Sequence, residues 1–580
     1  MSIFIKRVEK EEKSMNKKEK FALVMVVLVF VMVDCGRKSK DEAKKDGYNS
    51  TEYSSNTSDT YDTGVEYSTS ADDSGSKDDS DTTYDSGTAT DSDYTTNSYD
   101  VETDTKEDIY YSGSGEEYNS YAENGFVAVS KEPLSTFSAD VDTASYSNLR
   151  RMIKEGYIYD EDTIRVEEML NYFNYDYEGP TGREPFGVNV EIGKCPWNPN
   201  TSLMMVGMQT KDIDFSEGPN SNLVFLLDVS GSMNDPDKLP LMQQAFCMLA
   251  ENLTRKDRVS IVVYAGEDAV ILEGAKGNET NRIIEKITSL EAGGSTAGSA
   301  GIQAAYELAE RYFIKGGNNR VILATDGDLN VGLTTEYELT ELITKKRDSG
   351  IYLSVLGFGT GNIKDNNMEA LADNGNGNYV YIDSVYEAKK VLVDELGANM
   401  VTVAKDVKFQ VEFNPEQIKG YRLIGYENRV LATEDFEDDA KDAGEIGAGH
   451  SVTALYELVP VSSNMELDEK VTGSRYSSVD EKYKDELLTI KVRYKEPDKE
   501  ESKLLTYPVT TRAYTNKTSD DWNFATCIAE FAMILKDSPY LENGSMNHLR
   551  KRLNRIEFDD GYKKEFKQLV NKVAEWNYYE

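Results

Sequence analysis

Apolar positions along this chain repeat at two periods, and the places where each holds divide the sequence into zones. Between Asn222 and about Asn399, short apolar runs alternate with segments whose apolar residues recur every three to four positions. The runs Leu223–Leu227, Val259–Tyr264, Arg320–Ala324, Tyr352–Gly357 and Tyr379–Ile382 predict strands. The stretches Leu239–Leu253, Arg282–Leu290, Gly301–Ile314, Glu336–Arg347, Asn367–Ala372 and Val385–Gly397 predict helices. Strands that are apolar almost throughout, separated by helices, are what a parallel sheet covered on both faces requires. A further short run, "AVIL" at Ala269–Leu272, suits an antiparallel edge strand.

The flanks follow other patterns. Helical spacing predicts helices over Tyr146–Glu155 and Ile164–Phe173, with Asp160 to Thr163 supplying N-cap candidates for the second. "FGVNVEIGKCPWNPNTSLMMVGMQTKDI" reads as two strands around the turn at Pro196–Pro199. After Met400 the runs "VKFQVEF", "YRLIGYE", "SVTALYELVPV", "LLTIKVRY" and "KLLTYPVTTRAY" follow without intervening helices, which predicts antiparallel, sandwich-like pairing. Helical patterns at Trp522–Leu535 and Lys563–Trp576 come last. The expected fold class is α/β: a doubly wound, mostly parallel sheet, flanked by a β-rich sandwich-like domain and C-terminal helices. Strands on both sides, Phe186–Met208 and Val407–Tyr514, suggest that the α/β domain is inserted into a shared β-domain.

The first zone carries no such periodicity. Lys17, Lys18 and Lys20 precede Phe21–Val33, an uncharged apolar run shorter than the roughly 20 residues of a membrane span. The run ends at Cys35-Gly36 and resembles a bacterial lipoprotein signal, in which that Cys becomes the lipidated first residue. Asp34 departs from the small residue usual before such a Cys, and an uncleaved anchor or ordinary secretory signal is the alternative. Met15 offers a second start. Residues 36–125 are rich in Ser, Thr, Asp, Tyr and Gly, and between 51 and 120 there are 19 acidic residues against two basic. Such a segment cannot bury enough apolar surface to offset chain entropy, so a disordered tether is expected. A flexible coil of that length spans on the order of 50 Å, and like charges extend it further.

Charge and cysteine count narrow the function. The 580-residue chain carries 104 Asp and Glu against 64 Lys and Arg, which argues against a nucleic-acid partner. Four Cys, with no metal-type spacing, support no disulfide framework; Cys247 sits in a helical apolar pattern as a small hydrophobe. The basic clusters near the C-terminus, "HLRKRLNR" and "KKEFK", read as solvated helix faces.

Chemistry concentrates where predicted strands end. In an open parallel sheet, ligands bind outside the carboxyl ends of the strands. Asp228, Ser230 and Ser232 follow the first strand directly, and Asp326-Gly327-Asp328 follows "RVILAT". Thr296 lies in "EAGGSTAGSAGI", a Gly-rich loop before the helix that feeds that second strand. Hard divalent cations take oxygen ligands and keep several waters. Ser and Thr hydroxyls are neutral ligands, and Asp228 and Asp326 supply charge directly or through water. A largely neutral ligand set leaves the ion electrophilic, and an open position would favour a carboxylate from another molecule. Taken singly, a "DG" after a strand is usually a turn and a Ser or Thr before a helix usually an N-cap.

Asp228-x-Ser230-x-Ser232, Thr296 and Asp326 in "TDGD" together resemble the metal-ion-dependent adhesion site of von Willebrand factor type A domains. The resemblance implies that the serines and the threonine contact the metal while the aspartates act largely through water. "STFSADVDTASYSNLRRMI", "RVEEMLNYFNYDY", "CPWNPN" and the stretch from "EFNPEQIKGYRLIGYE" to "SVTALYELVP" resemble a family of bacterial extracytoplasmic, often lipoprotein, proteins of this type. The domains so implied are a lipoprotein-type signal (1–35), an acidic tether (36–125), an N-terminal domain associated with the type A domain (126–218), the type A domain itself (219–400), and a β-rich C-terminal domain ending in helices (401–580).

The function expected is a protein-binding module, not an enzyme. It would be held at a bacterial membrane by lipid on Cys35, face outside the cytoplasm, and capture an exposed Asp or Glu of a protein ligand through a divalent cation. Mg²⁺ is the first expectation, with Mn²⁺ or Ca²⁺ the alternatives. An envelope scaffold with a purely stabilising metal is the second reading. A Mg²⁺-dependent phosphohydrolase using Asp228 is the third, although Ser230 stands where such enzymes carry a general acid. A serine hydrolase lacks its Gly-x-Ser-x-Gly elbow here, and the chain has only two His, His450 and His548.

Overall fold

The computed structural model describes residues 115–156, 161–213, 218–265, 267–294, 299–327, 336–361, 363–467, 483–497 and 499–576. The signal segment, Cys35, the tether up to residue 114, and Thr296 lie outside the described residues. Residues before the α/β zone form β1 (Val127–Ala128), β2 (Leu134–Ser138), α1 (Ala144–Glu155), α2 (Val166–Asn171), β3 (Phe186–Lys194) and β4 (Ser202–Thr210). The α/β zone itself begins with β5 (Ser221–Asp228), α3 (Leu239–Asn252), β6 (Arg258–Ala265), β7 (Glu267–Lys276), α4 (Thr280–Thr288) and α5 (Ser299–Arg311). It continues through β8 (Asn318–Thr325), α6 (Glu336–Asp348), β9 (Tyr352–Phe358), α7 (Asp365–Asn374), β10 (Tyr379–Ile382), α8 (Val385–Lys389) and α9 (Leu396–Met400). Six strands follow, β11 (Thr402–Phe413), β12 (Ile418–Ile424), β13 (Gly444–Gly447), β14 (Ser451–Pro460), β15 (Glu486–Lys495) and β16 (Ser502–Thr510), and then α10 (Asp520–Leu535), α11 (Met546–Leu553) and α12 (Gly561–Ala574).

The central sheet has the order β10-β9-β8-β5-β6-β7. All pairings are parallel except β6 with β7, the antiparallel edge that contains "AVIL". β5 is buried along its whole length. Alternation along the strand sends Leu223, Phe225 and Leu227 into a core with α3, where the Phe225 and Phe246 rings lie 4.7 Å apart. Val224 and Leu226 enter a second core with Ile302 and Tyr306 of α5. Two helical layers thus explain a strand with no polar face.

The expected single helix over Val385–Gly397 is instead broken between α8 and α9 by a π turn at Lys390–Asp394. The wider turn brings Lys390 and Glu395, five positions apart, into an ion pair of 2.6 Å beneath the Tyr172 ring.

The flanking strands build one sandwich. Its sheets run β1-β12-β14-β4-β3 and β13-β11-β15-β16, with β2 also on β11, and a shared core contains Phe137, Ile192, Met204, Phe409, Tyr456 and Ile490. Met204 pairs with Tyr456 in the ladder between β4 and β14. The segments assigned separately to 126–218 and 401–580 therefore complete each other's hydrogen bonding, and the α/β domain leaves after β4 and returns at β11. Helices α1, α2, α10, α11 and α12 cover the outer face of the first sheet through Trp197, Leu203, Met205 and Leu455. Part of the basic C-terminal cluster is internal here: Arg552 pairs with the fully buried Glu530 at 2.5 Å. Residues 115–125, assigned from sequence to the tether, lie against the folded body, with the Glu117 amide donating to Ile363 O at 2.9 Å. No helix among the described residues is long and apolar enough to cross a membrane.

Candidate metal centre

β5 and β8 are parallel neighbours with Leu227 opposite Ala324, so Asp228 and Asp326 leave the same sheet edge. Both are buried, at 0% and 2% exposure. Asp228 Oδ1 accepts the Ser230 amide at 2.9 Å, and Oδ2 accepts the Thr325 hydroxyl at 3.2 Å. Burial pushes the Asp228 carboxyl above its usual range and the nearby Asp326 adds to this, while hydrogen bonds from Ser230 oppose it. Ser230, itself 1% exposed, holds its Oγ 2.9 Å from that of Ser232. Ser232 is solvent-exposed, so the pair runs from the interior to the rim.

Local sequence explains the arrangement. Met233, fully buried, anchors a 3₁₀ turn over Gly231–Asn234, and its amide donates to Ser230 O at 3.0 Å. That turn throws Ser232 outward. Two glycines fasten the neighbouring loop: the Gly293 amide donates to Val229 O at 2.8 Å, and Gly294 O accepts the Gly231 amide at 3.2 Å. Gly294 has φ +82°, and a Cβ there would meet Ala265 O at 3.1 Å. Thr296 follows two residues later, outside the described residues.

Asp326 divides its two oxygens. Oδ2 accepts from Lys238 Nζ at 3.0 Å, whereas Oδ1 is buried and has no hydrogen-bond partner among the described residues. A buried carboxylate oxygen left unpaired is costly, and a cation or its bound water would satisfy it. With two hydroxyls on the same edge, the donor set is all oxygen and suits a hard divalent cation. Asp228, Ser230, Ser232 and Asp326 are brought together at one edge. Lys238 was not legible as part of this group; "DKLP" carries no signal beyond a helix start. Thr325 was visible in "ATDGD" only as the end of a strand.

Neither histidine belongs to this edge. His450 lines a cavity of about 630 Å³ with Asp212, Glu395 and Gly397, where the chain approaches β5 and leaves α9, the opposite edge of the sheet. His548 sits on α11 with Nδ1 3.4 Å from Glu530. The sequence also gave no sign of a second acidic group, Asp406, Asp442 and Glu445, whose oxygens lie within 4.8 Å of one another. Its charge is already partly met, by Lys495 at 2.8 Å from Asp406 and by Arg347 on Asp442. The three described cysteines, Cys195, Cys247 and Cys527, are free thiols.

Three family models match the chain: von Willebrand factor over residues 112–205, von Willebrand factor type A domain over 222–395, and "Uncharacterized protein YfbK, C-terminal" over 398–576. The Escherichia coli protein YfbK is 40% identical over 463 residues, covering 78% of this chain and 80% of that protein. The Synechocystis protein sll0103 is 29% identical over 170 residues, covering 29% of this chain and 39% of its own length. Among solved structures, a von Willebrand factor type A protein from Catenulispora acidiphila matches at 15% identity with a TM-score of 0.40, over 69% of this chain and 91% of that one.

Proposed function

Because this chain belongs to the family of the type A domain protein YfbK, we propose that it is a cation-dependent protein-binding module of the bacterial envelope. Domains of the matched type are protein-interaction modules, and the finer reading concerns how this one engages its ligand. The serine hydroxyls of Ser230 and Ser232, with Thr296, hold a divalent cation, and Asp228 and Asp326 supply the charge around it. Mg²⁺ is the ion of first choice, with Mn²⁺ or Ca²⁺ as substitutes. The exposed side at Ser232 leaves room for an Asp or Glu carboxylate from a protein ligand. When bound, the ion supplies electrostatic attraction for that carboxylate. The observation that carries this reading is the unpaired, buried Oδ1 of Asp326 on the same strand-end edge as two hydroxyls 2.9 Å apart.

The burial of Asp228, with both oxygens already accepting hydrogen bonds, speaks for a supporting carboxylate and against a nucleophile. Pull-down from envelope extract with Mg²⁺ should retain a partner that EDTA releases and that Asp228→Ala never captures. Capture unchanged by EDTA overturns the reading. Lipid on Cys35 would hold the module at the membrane through the acidic tether. Cys35→Ser should move the protein from the detergent phase to the aqueous phase, and an unchanged partition refutes the anchor.

A further inference from the structure

Lys238 is the one cation within ion-pair distance of either aspartate among the described residues, and three elements build its position. Its backbone starts α3: the Lys238 amide donates to Asp235 O at 3.0 Å and its carbonyl accepts from the Met242 amide at 2.8 Å. Its stem crosses Gly359 just after β9, where a Cβ would come within 2.4 Å of Lys238 Cγ and Cε. Gly359 has φ +76°, and its carbonyl accepts the Tyr381 hydroxyl at 2.7 Å, which fixes that peptide. The ammonium then reaches Asp326 Oδ2 at the end of β8, with the residue 6% exposed. A surface lysine needs no glycine cleared from its path.

We infer that Lys238 is a tethered counter-cation that competes with the divalent ion for Asp326 and sets how tightly the site holds metal. This role presupposes that the site takes a divalent cation. The ammonium and the ion would draw on the two oxygens of one buried carboxylate, and like charges so close in a weakly polarisable interior repel. With Asp228 and Asp326 ionised, the three formal charges sum to one negative. A dication makes the sum one positive, which an incoming carboxylate cancels. Without Lys238 the loaded site would already be neutral. The lysine therefore weakens the bare metal site and leaves its loaded form in want of an acidic ligand. In the metal-free protein it also neutralises part of a buried acidic pair, as an ion would.

The test is calorimetric titration of Mn²⁺ into the full chain, alongside thermal unfolding in EDTA. Lys238→Met removes the charge and the donor; Lys238→Gln removes the charge and keeps an amide donor for Asp326, so a folding defect in the first leaves the second to decide. Both variants should bind Mn²⁺ at least tenfold more tightly than the unaltered chain. Lys238→Met should also melt lower in EDTA and recover more on adding Mn²⁺. Variant affinity equal to or weaker than that of the unaltered chain overturns the competition and leaves the metal reading standing. Mn²⁺ uptake by the variants but not by the unaltered chain supports it in its strongest form. Uptake by none of the three overturns the metal reading, and this role with it.

Discussion

Buried carboxylates gather at two places on the α/β domain and keep different company. At the junction with the rest of the molecule they meet arginines: Arg150 lies 2.5 Å from Asp383 and 2.7 Å from Glu387. Arg165 lies 3.0 Å from Asp365 and 2.7 Å from Glu369, and Arg429 reaches Glu369 at 3.3 Å and Asp140 at 3.1 Å. At the strand ends, Asp228 has only neutral donors and Asp326 has one lysine on one oxygen. Guanidinium forks fit carboxylates in fixed geometry and supply positive charge that a bound cation would otherwise bring. Asp365 Oδ1 and Glu387 Oε1 at the junction are buried without a hydrogen-bond partner among the described residues, as Asp326 Oδ1 is, but their carboxylates sit on arginines, whereas the two strand-end aspartates have a single lysine between them. Function is read from the difference in compensation between the two clusters, since both are rich in acid.

The contrast breaks most visibly at the junction. Arg150→Met leaves Asp383 and Glu387 buried without their guanidinium, and removing one partner of such a cluster costs about 3–5 kcal/mol. The denaturant midpoint should fall accordingly; a shift no larger than that of a surface substitution would show that this junction is not held by charge. At the strand ends the same kind of deletion should act the other way. Asp228→Asn should lose at least a hundredfold in Mn²⁺ affinity, about 2.7 kcal/mol, yet cost little stability in EDTA. Because burial raises the Asp228 carboxyl, the folded state binds its proton more readily than the unfolded chain does. The metal-free protein should therefore lose stability as pH rises from the ordinary carboxylate value through the raised one, and Asp228→Asn should flatten that slope.

A third site sharpens the comparison because burial outweighs the charges near it, Glu395 raising and Lys390 lowering its proton affinity. Burial lowers the His450 imidazole from 6.5 to about 4, so the unfolded chain binds the proton more readily. Stability from this group is intact above pH 6.5 and is lost as pH falls toward 4, about 2 kcal/mol of it by pH 5. His450→Gln should remove that part of the acid sensitivity in paired denaturation curves at pH 7 and 5. The smallest effect belongs to the exposed pair Arg311 and Glu273, 2.7 Å apart. Arg311→Ala should leave the melting temperature unmoved, since solvent screens such pairs.

Much of the α/β domain was legible because its signals are local. A strand such as Leu223–Leu227 that is apolar at every position reports burial on both faces. The strand ends at Asp228 and Asp326 then follow from where polarity resumes. Helix ends were read less well: the π turn after Lys389 depends on Tyr172 and Glu395 lying over Lys390, and neither is a feature of the helix's own periodicity. Within the candidate site, Asp228, Ser230, Ser232, Thr296 and Asp326 were readable as chemistry because their spacing repeats a known pattern. Lys238 was not, since nothing in "PDKLPL" tells where a four-carbon stem will point.

The sequence by itself determined most of the strands and helices, which strand ends carry hydroxyls and carboxylates, and that the folded body follows a long acidic stretch. Residue type and period encode how exposed a local element is, and that information travels within a few turns. Tertiary structure alone decided that Met204 pairs with Tyr456, that Arg150 meets Glu387, and that Asp326 shares its charge with Lys238 while keeping one oxygen free. Pairing partners are chosen by closure of ladders and neutralisation of buried charge across the whole chain, and neither is a property of any single segment.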